Sequence, residues 1–147
     1  MKFKVATKNA DETMQFAEKF ATLLTSPCVI ALDGDLSAGK TTFAKGFAKG
    51  LGIEKMITSP TFTILNEYDF QNKNDIKKLY HFDMYRLENE DDAFALGLEE
   101  YFDLKKLNGF VLVEWADRIK NILPEKYIIV NFSKISDNER SILISGN

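Results

Sequence analysis

Gly34-Asp35-Leu36-Ser37-Ala38-Gly39-Lys40-Thr41 satisfies the pattern G-x-x-x-x-G-K-[ST] at every specified position. A chance match in a chain of 147 residues is on the order of half a percent by average residue usage. The chemistry requires these types at this spacing. Glycines let successive backbone N–H groups turn toward phosphate oxygens, and the N-terminus of a following helix adds positive potential. Lys40 carries the charge for the β- and γ-phosphates, and the Thr41 hydroxyl is suited to Mg²⁺. A glycine-rich turn with a surface lysine is the bland alternative.

Such a loop does not separate a kinase from a hydrolase or a switch. That distinction needs an acid at the end of a neighbouring strand, to hold Mg²⁺ or the attacking water. Glu114 follows the apolar run Phe110-Val-Leu-Val113, which places its charge at the carboxyl edge of a sheet, where α/β proteins bind ligands. Asp83, closing Leu79-Tyr-His-Phe-Asp83, is a further candidate, as is Asp33 within the loop itself. Asn72-Lys73-Asn74-Asp75 spells the guanine-recognition string N-K-x-D. It sits in a polar run between two strand patterns with no suitable D-x-x-G before it, so a hairpin turn explains it better. His81, the one histidine, alternates with Tyr80 and Phe82 and reads as a packed or hydrogen-bonded strand residue. Trp115 reads as core or as a shield beside Glu114. The acids between Glu88 and Asp92 suit a helix N-terminus or a partner-facing surface.

The positions of these residues require particular elements. Phe3–Ala6 reads as a strand, and a helix follows over Asp11–Leu24, with Met14, Ala17, Ala21 and Leu24 on one face. Cys28–Leu32 is a continuous apolar run, as expected of a strand covered on both sides. A helix over Thr41–Leu51 stops at Gly50 and Gly52. Thr61–Tyr68 and Lys78–Asp83 read as strands flanking a polar turn, and a helix interrupted near Gly97 spans Asp91–Phe102. Gly109–Glu114 is a second buried strand, followed by a short helix running to Leu123-Pro124. Lys126–Phe132 and Arg140–Ser145 form a terminal hairpin. Alternating strands and helices predict an α/β layer structure with a mixed sheet.

Composition bounds the rest. The chain has 45% hydrophobic and 28% charged residues, which excludes disorder and low complexity and predicts one domain over 1–147. A net charge of −3 argues against stand-alone nucleic-acid binding. One cysteine, Cys28, and one histidine leave nothing for an internal disulfide or a structural zinc site. Neither a membrane-span-length apolar run nor a signal-peptide core is present, so a cytoplasmic location is expected.

Five segments in order, GDLSAGKTTFAKGF, SPTFTILNEY, HFDMYRL, GLEEYF and VEWADRI, closely resemble the TsaE family of bacterial ATPases in tRNA threonylcarbamoyladenosine synthesis. The resemblance runs from about Asp11 to Pro124. It implies a P-loop NTPase-like three-layer α/β sandwich, with a mainly parallel core sheet and antiparallel edge hairpins. It also implies ATP and Mg²⁺ as ligands, with slow hydrolysis by the protein alone. The implied partners are TsaB and TsaD, the latter transferring threonylcarbamoyl to adenosine 37 of tRNAs that read ANN codons. Contact with tRNA itself would be indirect or within that complex. By position, the resemblance puts Asp35, Leu36, Ser37, Ala38, Gly39, Lys40, Thr41 and Thr42 around the phosphates. Thr61 lies in a switch-like segment near the γ-phosphate, and Ala10 lies beside the adenine. Lys40, Glu114 and Asp83 are the implied catalytic residues, with Thr41, Glu114 and Asp83 at the metal, directly or through water. Two positions depart from the family pattern: Ser37 stands where a glycine is usual, and Ala116 where a proline often follows VEW. A serine at a position needing φ > 0 would cost about 1 kcal/mol or more.

Two other readings remain from the sequence. A small-molecule kinase would need an Arg-rich lid, and the only arginines are Arg86, Arg118 and Arg140. A nucleotide-binding adaptor without significant turnover is the other.

Overall fold

Cys28–Leu32 is apolar on both sides because it runs through the middle of the molecule. The computed structural model describes residues 2–35, 38–72 and 75–146. Its strands are β1 (Lys2–Thr7), β2 (Cys28–Asp33), β3 (Leu65–Asn72), β4 (Asp75–Asp83), β5 (Gly109–Glu114), β6 (Ile128–Lys134) and β7 (Arg140–Gly146). The helices are α1 (Ala10–Leu23), α2 (Lys40–Gly50) and α3 (Glu90–Ala95), with 3₁₀ turns at Glu99–Phe102 and Ala116–Ile119. The strands form one seven-stranded sheet in the order β1-β7-β6-β2-β5-β4-β3. β2 is parallel to β5 and β6, and β4 is parallel to β5, while β3, β7 and β1 add antiparallel pairings at the two sides. The three parallel pairings bring the carboxyl ends of β2, β4 and β5 to one edge.

Strand alternation divides the core between two faces. Ile30, Leu32, Phe110, Leu112, Val130 and Phe132 pack under α1 and α2. Val29, Ala31, Val111, Val113 and Phe82 point the other way, against Met84, Ala93, Leu98, Phe102 and Ile119. The sheet is therefore the middle of three layers. On the first face Phe43 meets Phe132 edge-on at 5.5 Å and Phe47 meets Phe110 at 5.7 Å. α1 and α2 approach so closely that a Cβ at Gly46 would collide with the Met14 carbonyl.

α1 begins at a capping arrangement: the Asn9 side chain accepts from the Glu12 N–H at 2.9 Å, and Glu12 accepts from the Lys8 N–H at 2.9 Å. The interruption expected near Gly97 is present, since α3 stops at Ala95 and Gly97 takes φ 70°.

Several expected boundaries differ, three of them as follows. Thr61–Thr63 is not part of a strand: Ile64 takes φ 70°, its N–H closes a turn on the Pro60 carbonyl at 2.7 Å, and β3 starts at Leu65. β4 starts at Asp75 rather than Lys78, because the polar run pairs across the hairpin with β3. The helix expected up to Leu123-Pro124 is a single 3₁₀ turn, begun by Trp115 at φ 59° and followed by turns.

Candidate functional site

At the carboxyl edge of β2, β4 and β5 lies an open cleft of about 540 Å³. The motif residues form one wall. Gly34 takes φ +147°, and a Cβ there would sit 2.8 Å from the Phe132 carbonyl oxygen, so only glycine leaves β2 at this angle. Gly39, at φ +111°, is the N-cap of α2 and offers no side-chain cap, and the first turn of α2 contains no acid. The early N–H groups of α2 thus open toward the cleft with the helix potential intact. Arg140, lining the cleft from β7, braces the loop from outside: its Nε donates to the Ala38 carbonyl at 3.2 Å. Its Nη1 donates to the carbonyls of Ser136, Asp137 and Glu139, each at 3.0 Å.

The opposite wall carries the acids. Asp83 and Glu114 are register partners on β4 and β5, and they are 3% and 4% exposed. Carboxylates this buried need partners. Asp83 Oδ2 accepts from the Thr61 hydroxyl at 2.9 Å, and Oδ1 accepts from the Tyr85 N–H at 2.9 Å. Thr61 is in turn 2.9 Å from the Ser59 hydroxyl. Glu114 Oε2 lies 2.8 Å from His81 Nε2.

Lys40 joins the two walls. It is 6% exposed, and its Nζ lies 4.4 Å from the centre of the Trp115 ring. Such a contact contributes about 0.5–2 kcal/mol, less than an ammonium gains from a phosphate in the same cleft. Trp115 sits in the left-handed region at φ 59°, a strained conformation for a bulky residue, directly after Glu114. The guanidinium of Arg118 lies 5.9 Å from the same ring and is anchored on the Leu87 carbonyl at 2.9 Å.

Of the residues expected from the sequence, Ala10, Gly39, Lys40, Thr41, Thr42, Thr61, Asp83 and Glu114 all line this cleft. Asp35 and Ala38 are not among the lining residues: Asp35 is exposed, Ala38 is buried, and the Ala38 N–H donates to the Asp35 carbonyl at 3.1 Å. Leu36 and Ser37 lie outside the described residues. Asp33 is turned away, accepting from Asn131 Nδ2 at 3.3 Å. Asn72 and Asp75 pair across the β3–β4 hairpin, at the end of β4 far from Asp83, which removes them from any base pocket here. Lys73 and Asn74 of that string lie outside the described residues.

Tyr85, Asp137, Asn138 and Arg140 also line the cleft and were not among the expected site residues; Tyr85 lies in the HFDMYRL segment, and the other three carried no sequence signal as site residues. The last three come from the β6–β7 hairpin, about a hundred residues after the loop they border.

A glycine-rich loop between a buried parallel strand and an uncapped helix, at a sheet edge lined by paired acids, defines a P-loop-like α/β nucleotide-binding protein. The family model described as "Threonylcarbamoyl adenosine biosynthesis protein TsaE" matches residues 7–142. A Bacillus subtilis relative named tRNA threonylcarbamoyladenosine biosynthesis protein TsaE is 44% identical over 139 residues, covering 95% of this chain and 82% of its own. One from Treponema pallidum with the same name is 35% identical, covering 97% and 99%. The crystal structure of Bacillus subtilis YdiB superposes with a TM-score of 0.78 at 40% identity, covering 98% of this chain and 84% of that one. The chain belongs to the TsaE family. Among the described residues, no helix is long and apolar enough to cross a membrane.

Proposed function

We propose that this protein is a Mg²⁺-dependent ATP hydrolase that acts with TsaB and TsaD in threonylcarbamoylation of adenosine 37 of tRNAs reading ANN codons. The names of its relatives support the place in tRNA modification. The observation that supports hydrolysis is the convergence of Lys40, Thr41, Asp83 and Glu114 on one cleft, with the two acids in register. This donor set of one hydroxyl and two carboxylates consists of hard oxygens, as Mg²⁺ requires. Thr41, Asp83 and Glu114 would hold the ion, directly or through water, and when bound it neutralises charge on the phosphate oxygens.

The chain's own groups do the rest. Lys40 leaves the Trp115 ring for the phosphates, and the N–H groups around Gly39–Thr42 hold the phosphate oxygens. Ala10 borders the nucleoside end. Glu114 orients a water whose oxygen bonds to the γ-phosphorus as the bond to the ADP oxygen breaks. The proton passes to the carboxylate and then to solvent. Thr61, now bonded to Asp83, lies in the segment 58–63 that closes on the γ-phosphate and changes the surface a partner meets. Against the kinase alternative, Arg118 and Arg140 are both committed to backbone carbonyls rather than forming a lid.

Reconstituted tRNA threonylcarbamoylation with TsaB and TsaD tests this reading. Adding this chain is expected to sustain repeated turnover, and Lys40→Ala is expected to abolish the effect. Equal support from Lys40→Ala would contradict it.

A further inference from the structure

His81 is fully buried, 0% exposed, on β4 two residues before Asp83. Its register partner is Leu112, two residues before Glu114 on β5. Side chains two apart on a strand share a face, so His81 reaches Glu114 from behind the edge while Asp83 stands beside it. The reach ends in a 2.8 Å contact between Nε2 and Glu114 Oε2. The other ring nitrogen, Nδ1, is buried with no hydrogen-bond partner among the described residues.

That asymmetry fixes the direction of the bond. Were the proton on Nδ1 alone, two lone pairs would face each other at 2.8 Å, and a buried N–H would have no acceptor. With the proton on Nε2, the ring donates to the carboxylate and only a lone pair goes unmet. The network therefore assigns the Nε2–H form. An ordinary core histidine would leave no trace at the site. This one is bonded to the acid that Proposed function assigns to the attacking water.

We propose that His81 is the positioning residue for Glu114: its Nε2–H holds one carboxylate oxygen so that the other is presented to the cleft. The proposal rests on the hydrolase reading for its consequence, but the clamp itself is a property of the protein without nucleotide. A carboxylate released from it could rotate about its side-chain torsions, and misplacement by about 1 Å can lower a rate by about 100-fold.

Two measurements on the full chain test it. The chain has a single histidine, so its imidazole ¹⁵N NMR signals in the nucleotide-free protein need no further assignment. They are expected to show the proton on Nε2, with a shift that moves in Glu114→Gln. A proton on Nδ1, or no response to Glu114→Gln, would overturn the clamp. The second measurement compares His81→Gln with His81→Asn, using ATP hydrolysis and the affinity for a fluorescent ATP analogue. The glutamine amide reaches the Nε2 position and the asparagine amide does not. His81→Gln is expected to keep most of kcat and His81→Asn to lose about 10- to 100-fold, with analogue affinity within threefold for both. Equal rates in the two variants, or affinity falling in step with rate, would overturn the positioning role. Absence of hydrolysis in the unsubstituted chain, alone and with TsaB and TsaD, would instead contradict the hydrolase reading, and the NMR result would still decide the clamp.

Discussion

The two walls of the cleft are built differently. The wall running from β2 through the loop into α2 rests on Phe43 and Phe47, both 0% exposed, under α1 and against the sheet. The facing segment from Ile53 to Ile64 has no regular structure beyond turns, and leaves Met56 and Phe62 more than 80% exposed. Ile53 and Ile57 root its first half in the same core, and beyond Ile57 a few polar bonds tie it down: Thr61 to Asp83, Asn66 to the Thr58 carbonyl at 3.3 Å, and the turn closed by Ile64. The contrast teaches a division of labour. Phosphate binding needs donors fixed in advance, and a packed aromatic layer provides that. A response to the γ-phosphate needs a segment whose bonds can be exchanged at low cost, and short polar ties meet that need.

Truncating one aromatic from each wall gives the largest expected difference. Phe47→Ala should lower unfolding stability in urea by about 3–5 kcal/mol, because it empties a buried site. Phe62→Ala should change it by less than about 0.5 kcal/mol. Equal losses would erase the distinction between the walls.

The ties of the facing segment come next. Thr61→Val removes one hydrogen bond to a carboxylate, about 1.5 kcal/mol, so tryptic cleavage at Lys55 should accelerate about tenfold while global stability is nearly kept. An unchanged cleavage rate would mean that the segment is held by something else. A smaller effect concerns the contact between walls. Trp115 is the one tryptophan, so its emission reports whether Lys40 Nζ remains on the ring. ATP should change that emission in the unsubstituted chain and much less in Lys40→Met.

A separate effect, outside both walls, lies at the far end of β2. Burial pushes the Cys28 thiol up to about 11. At pH 8 its alkylation in the folded protein should be about 100-fold slower than that of an exposed cysteine. The folded-state value is raised, so this group's contribution to stability is complete below the unfolded thiol's value. It is lost as pH rises toward 11, and alkaline unfolding should ease in that window relative to Cys28→Ala.

The central strands and the start of α1 were legible because local sequence decides them. Cys28–Leu32 and Gly109–Val113 are apolar on both strand faces, and Asn9 with Glu12 caps α1. Asp83 and Glu114 were legible as strand-end acids, although only the parallel register of β4 and β5 makes them neighbours. The facing wall was misread for a physical reason. Thr61, Phe62, Thr63 and Ile64 all favour strands, and the turn at Pro60 with Ile64 at φ 70° overrides that preference. Arg140 gave no local hint, because its bond to the Ala38 carbonyl depends on β7 lying beside β6. His81 was legible as a packed strand residue, but its partner Glu114 is 33 positions away.

Phosphate release from ATP by the purified chain, alone and with TsaB and TsaD, beside Glu114→Gln, addresses the central claim most directly. The hydrolase account predicts release that rises with the partners and falls at least about 100-fold in Glu114→Gln while ATP is still bound. Release that is unaffected by Glu114→Gln, or absent in every setting despite ATP binding, would contradict it.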